Sequence, residues 1–243
     1  MLYDLTEEQL MLRDTVRRIA QEQIAPGAAE RDLKGEFAWD TVEILRENGL
    51  FGCDFKEEYG GAAMGVLAFC LAVEEVAKVC GSSAVILLVH ELGSMPMMLA
   101  ASDAQKKKWF PGLASGEHLV AFGLTEPGAG SDVAGLRTKA VKKGDKYIIN
   151  GSKQFITSGQ NAGVVIVFAV TDPDAGKRGI SAFIVPTDSP GYQVARVEDK
   201  LGQHASDTCQ IVFDNVRVPV ANRLGAEGEG YRIALANLEG GRI

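Results

Sequence analysis

The first part of the chain carries apolar residues at helical spacing. Thr6 and Gln9 form a Thr-x-x-Gln capping box, which opens a helix with Val16 and Ile19 on its apolar face. The turn-forming pair Pro26-Gly27 predicts the end of this helix.

Four further helical segments are predicted before residue 115. They are Trp39 to Asn48 with Gly49 as its C-terminal cap, Gly65 to Val79, Ser82 to Ala100, and a segment from the capping box Ser102–Gln105 to Pro111-Gly112. The neighbouring acids Glu74-Glu75 could serve acid/base chemistry, but adjacent helix positions point about 100° apart, which favours one glutamate on a solvated face. A methionine cluster at residues 95, 97 and 98 could line a channel for an apolar ligand, although core packing is the simpler interpretation.

The pattern changes near residue 118 to short β-branched and aromatic runs. Lys146 to Ile149 and Ser152 to Thr157 flank Asn150-Gly151, a dipeptide typical of a type I′ turn, so we predict a β-hairpin there. The other predicted strands are Val120 to Leu124, Val164 to Val170, Ile180 to Val185, Val194 to Val197 and Thr208 to Val218. A helical pattern returns from about Glu229.

This order predicts an α+β multidomain protein. An N-terminal all-α helical bundle over residues 1–115 is followed by a β-barrel or β-sandwich domain over residues 116–225, and residues 226–243 begin another helical segment.

Composition excludes several function classes. The chain has 243 residues and a net charge of −7, which argues against a general nucleic-acid or anionic-membrane surface. We expect no membrane span, and Met1 leads directly into the first helix signal without a targeting pattern, so we expect a cytoplasmic location. The four cysteines form no Cys-x-x-Cys pair and the three histidines no spaced cluster, so no metal site is expected.

Candidate chemistry begins where the first predicted strand ends. Thr125 and Glu126 follow the apolar run, and Pro127 to Ser131 form a turn of small residues where backbone amides can approach a ligand. A hydroxyl followed by a glycine-containing loop suits a flat heteroaromatic ring joined to a diphosphate. The glycine spacing is not Gly-x-Gly-x-x-Gly, and taken alone this turn would be an ordinary loop.

A second motif, from Asn150 to Gly159, changes this interpretation. The sequence Thr-Glu-Pro-Gly-Ala-Gly-Ser-Asp at 125–132, followed by Asn-Gly-x-Lys-x-x-Ile-Thr at 150–157, resembles the acyl-CoA dehydrogenase family. The resemblance implies an FAD-dependent oxidoreductase acting on CH–CH donors, which forms a double bond next to a CoA thioester. It also implies a helical domain, a β domain and a C-terminal four-helix domain, of which this chain would contain only the start.

The resemblance also implies roles for individual residues. Cofactor contacts would come from Phe122, Gly123, Leu124, Thr125, Glu126, Pro127, Gly128, Ala129, Gly130 and Ser131, and from Phe155, Ile156 and Thr157. Thr125 would donate to the flavin ring, Gly130 and Ser131 would cradle the diphosphate, and Thr157 would lie close to the reactive nitrogen. Substrate contacts would come from Ser131, Glu239, Gly240, Gly241 and Arg242.

Two positions depart from the family pattern. Phe155 replaces a frequent tryptophan, which keeps an aromatic face but loses the indole N–H. His204 stands where arginine is frequent, which puts anion pairing there in doubt. Without the motif, Phe155 and Ile156 would be interpreted as ordinary strand core.

The catalytic base of the family is a glutamate that the resemblance places beyond Ile243, so no catalytic residue is assigned here. We therefore expect the 243-residue chain alone to be a poor catalyst with weak FAD retention, an expectation that a stoichiometric flavin spectrum would overturn. The implied partners are an acyl-CoA substrate, electron-transfer flavoprotein as electron acceptor, and further copies of the chain in a homo-oligomer, typically a homotetramer. The alternatives are a non-catalytic flavin- or acyl-CoA-binding remnant, and a flavin oxidase, monooxygenase or desulfinase with the same fold.

Overall fold

The computed structural model describes residues 4–240. The helices are α1 (Glu7–Ile19), α2 (Ala25–Lys34), α3 (Trp39–Glu47), α4 (Gly65–Ala77), α5 (Gly81–Ala100), α6 (Asp103–Ala114) and α7 (Gly230–Gly240). The strands are β1 (Val120–Gly123), β2 (Lys139–Lys143), β3 (Lys146–Thr157), β4 (Val164–Val170), β5 (Ile180–Pro186), β6 (Tyr192–Val197), β7 (Thr208–Pro219) and β8 (Arg223–Leu224). The predicted order of a helical region followed by a β region is confirmed.

The chain divides into two compact units. The first comprises Met1–Leu88, Phe110–Glu117 and Asp199–Ser206, and the second comprises Val89–Trp109, His118–Glu198 and Asp207–Ile243. The predicted boundaries at residues 115 and 225 remain predictions.

The first unit is helical. Its capping box forms as expected, because Thr6 Oγ1 accepts from the Gln9 amide at 3.2 Å and Gln9 Oε1 accepts from the Thr6 amide at 3.0 Å. The predicted end at Pro26 is wrong. A π-helical turn (Ala20–Ile24) leads without interruption into α2, and the proline is the second residue of α2, in a first turn where proline is tolerated. The helix ends instead at Gly35, with φ 64°.

A buried glutamate connects α4 to α1. The side chain of Glu75 is 2% exposed. Its carboxylate accepts hydrogen bonds from Arg17 Nε and Nη2, both at 3.0 Å, and from Lys78 Nζ at 2.8 Å. The hydrogen bond from Arg17 is the largest influence and lowers the pKa of Glu75 to about 2. The neighbouring Glu74 is exposed, so the pair divides into one solvated acid and one structural acid.

His204 also has an acidic partner within the first unit. Its backbone amide donates to Asp32 Oδ1 at 2.9 Å, while its ring nitrogens lie 3.1 Å from Asp32 Oδ2 and 2.7 Å from the Lys200 carbonyl oxygen. The hydrogen bond to Asp32 raises the pKa of His204. The histidine therefore pairs with an anion of the same unit.

The second unit is built on one mixed sheet of eight strands. Its order is β6-β7-β3-β2-β4-β5-β8, and β1 pairs in parallel with β4. The β region is thus a single sheet that does not close within the described residues. Strands β4 and β5 form its most deeply buried part, as their continuous apolar sequences predict.

The predicted turn at Asn150-Gly151 is wrong. β3 runs unbroken through both residues, and the hairpin turn lies earlier, at Gly144 with φ 63°, between β2 and β3. A register shift falls between Ile149 and Gly151, and the Asn150 side-chain oxygen accepts from the Asn215 amide of β7 at 2.9 Å. The Asn150-Gly151 dipeptide therefore lies at an irregularity in the pairing of β3 with β7, and not in a turn.

Helix α6 also continues beyond a predicted end. Its capping box is confirmed, since the Ser102 and Gln105 side chains exchange hydrogen bonds with each other's backbone amides. Pro111 lies inside the helix, which ends three residues later at Ala114. A proline so close to the end removes one hydrogen bond, and the remaining turn is too short to require a kink.

Helix α5 modifies the expectation that no segment is long enough to cross a membrane. Among the described residues, Gly81–Ala100 alone meets the length and hydropathy of a span, but 61% of its apolar window is buried inside the protein. A core helix of a folded domain has the same properties. Met97 belongs to that core, with 0% exposure.

Candidate functional site

The first segment of the site follows β1. Hydrogen bonds of 3.0 Å run between the Glu126 amide and the Ala129 carbonyl oxygen, and between the Ala129 amide and the Glu126 carbonyl oxygen, so the Thr-Glu-Pro-Gly-Ala stretch makes a closed turn. The amides of Gly130 and Ser131 donate to no other residue within 4–240. Successive free amides of this kind can bind an anionic group.

The second segment follows an irregularity in β3. Pairing with β7 shifts between Lys153 and Ile156, so Gln154 and Phe155 form a bulge. Phe155 has φ 58° and its side chain is 63% exposed. A bulge of this kind redirects a side chain out of the sheet, and a non-glycine residue held at positive φ marks a conformation that its surroundings impose.

These two segments line one cavity of about 200 Å³ in the second unit. The lining residues are Val89, Leu92, Phe122, Leu124, Thr125, Gly130, Val133, Phe155, Ile156, Thr157 and Leu238. Apolar side chains dominate the walls, and the Thr125 and Thr157 hydroxyls bond to no other residue of the described chain. The cavity therefore offers apolar contact and hydrogen bonding to a ligand that is partly apolar and partly polar.

No lining residue of this cavity, within the described chain, carries an ionisable side chain. The described part of the site can bind, orient and exclude water, but it supplies no general acid or base.

A buried ion pair lies behind the turn. Lys153 Nζ donates to Glu126 Oε1 at 2.8 Å, and the two side chains are 0% and 6% exposed. Burial disfavours the charge of Glu126, but Lys153 and hydrogen bonds from the Arg137 and Thr138 amides outweigh burial and lower the pKa of Glu126. Burial lowers the pKa of Lys153 to about 8 against the opposing effect of Glu126.

Asp207 fixes the loop that follows Thr157. Its carboxylate accepts from the Gln160 amide at 2.8 Å and from Asn161 Nδ2 at 3.0 Å, and its carbonyl oxygen accepts from the Ser158 amide at 3.1 Å. The Tyr192 hydroxyl donates to the Gly159 carbonyl oxygen at 2.5 Å, and burial raises the pKa of that tyrosine. The strand that carries Thr157 is thereby anchored beyond its last residue.

The structure brings together only some of the residues proposed from the sequence. Phe122, Leu124, Thr125, Gly130, Phe155, Ile156 and Thr157 line the cavity, whereas Gly123, Glu126, Pro127, Gly128, Ala129 and Ser131 do not. Glu239 and Gly240 lie exposed at the end of α7, directly after the lining residue Leu238. Gly241 and Arg242 lie outside the described residues.

Sequence reasoning missed four lining residues and the role of the lysine. Val89, Leu92, Val133 and Leu238 are apolar residues of helices or turns whose sequence pattern is that of any core. Lys153 had a signal, since it is a charged residue inside a strand between buried Ile149 and Ile156. A buried strand lysine requires an acidic partner, but the sequence does not single out Glu126 among the 32 acidic residues of the chain.

Two family models match the chain. Residues 6–117 match the acyl-CoA dehydrogenase N-terminal domain and residues 121–216 match the acyl-CoA dehydrogenase middle domain. An acyl-CoA dehydrogenase of Bacillus subtilis is 47% identical over 240 residues, covering 98% of this chain and 63% of the relative. The chain thus spans under two thirds of the length of that relative.

Solved structures agree with this match. Butyryl-CoA dehydrogenase from Megasphaera elsdenii superposes with a TM-score of 0.95 at 42% identity, over 100% of this chain and 64% of that one. A chain from work on the electron transferring flavoprotein of Acidaminococcus fermentans gives 0.97 at 43% identity, with the same coverage. A glutaryl-CoA dehydrogenase from Mycobacterium smegmatis in complex with FADH2 gives 0.89 at 32% identity, over 98% and 60%.

The two family models together cover most of the chain, and their junction falls where the helical sequence gives way to the strands of the sheet. The chain belongs to the acyl-CoA dehydrogenase family.

Proposed function

We propose that this chain is the flavin-binding part of an FAD-dependent acyl-CoA dehydrogenase that forms the α,β double bond of an acyl-CoA thioester. The observation that carries the proposal is the shared cavity: the motif at residues 122–130 and the motif at residues 155–157, about 30 positions apart in the sequence, line the same 200 Å³ space.

The cavity residues fit a flavin. Apolar walls from Phe122, Leu124 and Ile156 suit a flat ring, and the free hydroxyls of Thr125 and Thr157 suit its heteroatoms. The unpaired amides of Gly130 and Ser131 suit a diphosphate. When bound, FAD supplies the acceptor for the hydride that leaves the β carbon, a task that no side chain performs.

The chain's own residues would bind, orient and exclude water. Phe155, turned out of β3 by the bulge, would contact the ring, and Leu92 and Leu238 would help to exclude water from the cavity. Hydrogen bonds from Thr125 and Thr157 would fix the orientation of the ring. Removal of the α proton needs a base that the described cavity does not contain, and we assign that role to a glutamate of the remaining third of the family's length.

The test is anaerobic addition of acyl-CoAs to the FAD-loaded product of the full reading frame, which would include the glutamate assigned above. Loss of the visible flavin absorbance with saturated but not with α,β-unsaturated acyl-CoA is expected for a dehydrogenase. A series from butyryl-CoA to longer thioesters, with glutaryl-CoA added, would identify the preferred acyl group. Absence of any change with every acyl-CoA, in protein that holds FAD, would overturn the proposal.

A second candidate is ligand binding without catalysis, and the absence of an ionisable lining residue in the described cavity favours it. In that case acyl-CoAs would shift the flavin spectrum without reducing it. A related oxidase or monooxygenase would differ again, because its reduced flavin would be reoxidised rapidly by oxygen.

Electron-transfer flavoprotein as acceptor, a homo-oligomeric assembly and a cytoplasmic location complete the proposal. The similarity to a chain from the Acidaminococcus work on that flavoprotein supports the first. Acceptor identity is tested by following reduction of purified electron-transfer flavoprotein in the presence of the enzyme and an acyl-CoA.

A further inference from the structure

Two neighbouring residues of β3, Lys153 and Gln154, hydrogen-bond to three consecutive residues just after β1. Lys153 Nζ donates to the Leu124 carbonyl oxygen at 3.0 Å and to the Glu126 carboxylate at 2.8 Å. Between them, the Gln154 amide donates to the Thr125 carbonyl oxygen at 2.8 Å. Thr125 is therefore held on both sides by residues of β3.

The same lysine stands at the start of the bulge. Lys153 is the last residue paired with β7, opposite Ile211, before the register shift that ends at Ile156. Phe155, with φ 58°, lies two residues further along the chain. One side chain thus connects the turn that carries Thr125 to the bulge that presents Phe155.

The acid is anchored independently of the lysine. Glu126 accepts from the Arg137 amide at 2.7 Å and from the Thr138 amide at 3.0 Å, the residues that lead into β2. These two amides fix the position of the Glu126 carboxylate, so the lysine binds to an acceptor whose position does not depend on the lysine.

We propose that the buried Lys153–Glu126 pair is a positioning device that sets the separation of the Thr125 turn from the Phe155–Thr157 segment at the value a flavin ring requires. This inference rests on the proposed function, since it assigns these two residues to the same cavity. Neither side chain lines the cavity, so both act through Thr125 and Phe155.

Stability alone is a weak reason for such a pair. Charges are costly to bury, and apolar replacement of both partners of a buried ion pair is often neutral or stabilising, whereas loss of one partner is strongly destabilising. Neutral side chains at both positions, Lys153→Met with Glu126→Gln, would fill a similar volume and still accept from the Arg137 and Thr138 amides, without holding the Leu124 carbonyl oxygen. The double replacement therefore separates stability from position.

The experiment compares Lys153→Met, Glu126→Gln and the double variant Lys153→Met/Glu126→Gln with the wild type in the intact protein. The control is Glu75→Gln, which removes an equally buried, ion-paired acid of the first unit that does not line the cavity. Each protein is freed of flavin, its Tm is measured, and it is titrated with FAD by fluorescence and by visible absorbance.

We expect the double variant to regain most of the Tm that Lys153→Met loses. Its Kd for FAD should nevertheless rise about tenfold or more, because a site loses function when its supporting contacts no longer fix it. The shape of its bound-flavin spectrum should also change. Glu75→Gln should lower the Tm while the Kd and the spectrum stay at the wild-type values.

The possible failures are distinguishable. If the double variant binds FAD with wild-type Kd and spectrum, or if Kd follows Tm equally in all variants including Glu75→Gln, the pair is structural only and the inference is wrong. If the wild type itself binds no FAD, the proposed function fails and the inference fails with it.

Discussion

Phe155 shows how much one residue's backbone conformation matters to the candidate site. The family resemblance implies an aromatic residue near a flavin at this position, but not that the residue would adopt φ 58° with 63% of its surface exposed. A positive φ at a non-glycine residue costs about 1–3 kcal/mol, and the bulge in β3 imposes it here. The strain depends on pairing with β7, which residue-by-residue reasoning does not include.

Replacing Phe155 by alanine should therefore affect ligand binding more than folding. Little packing is lost from an exposed ring, so the free energy of unfolding should change by less than about 0.5 kcal/mol. Loss of the aromatic contact should weaken FAD binding by about 1 kcal/mol, roughly fivefold in Kd. Fluorescence titration measures this change, with Phe155→Trp as the control that retains the contact. A large fall in Tm with unchanged Kd would assign Phe155 to the core instead.

At the scale of single elements, sequence patterns located helices and strands better than they located the turns. The run Lys146–Thr157 reads as two strands about Asn150-Gly151, because that dipeptide is the strongest short hairpin signal. In the structure, the glycine allows the backbone of Thr138 to lie close to β3, because a Cβ on Gly151 would lie 2.5 Å from Thr138 Oγ1 and 2.6 Å from Thr138 Cα. The local sequence around Gly151 does not show that Thr138, from a distant segment of the chain, packs against it.

Two glycine variants test this assignment. Gly151→Ala places a methyl group against the Thr138 backbone at φ 150° and should destabilise the protein by about 2–4 kcal/mol. Gly144→Ala, at the true turn with φ 63° and nothing within 4 Å of the new Cβ, should cost about 1 kcal/mol. Denaturant unfolding gives both values. Equal losses, or a greater loss at Gly144, would restore the turn to Asn150-Gly151.

For the molecule as a whole, the sequence sufficed for family and fold class because the two motifs and the helix-to-strand order extend over most of its length. It did not suffice for the single open sheet, whose strand order depends on pairings between distant segments such as β3 and β7. Nor did it identify Glu75 as a structural acid, since its partner Arg17 lies 58 positions away.

That ion pair predicts the pH dependence of stability. Because the pKa of Glu75 is lowered to about 2, the ionised carboxylate stabilises the folded state above about pH 5. This stabilisation is lost as the pH falls towards 2. Glu75→Gln should be less stable than wild type by about 1–3 kcal/mol at pH 7. This range already allows for the weakening of the ion pair by solvent around the half-exposed Arg17. The difference should disappear near pH 2.

Urea unfolding at several pH values measures this difference. The matched control is Glu74→Gln, which removes the neighbouring exposed acid and should cost less than about 0.5 kcal/mol at any pH. A constant difference between wild type and Glu75→Gln from pH 7 to 2 would mean that the charge of Glu75 contributes nothing.

The cavity's walls come from residues as far apart as Val89 and Leu238, a separation of about 150 positions. A ribosome releases the amino end first, so the nascent polypeptide has every wall but one while Leu238 is still inside the exit tunnel. The cavity is therefore complete only after α7 has emerged, and until then Phe122, Leu124 and Ile156 present apolar surface that chaperones can recognise.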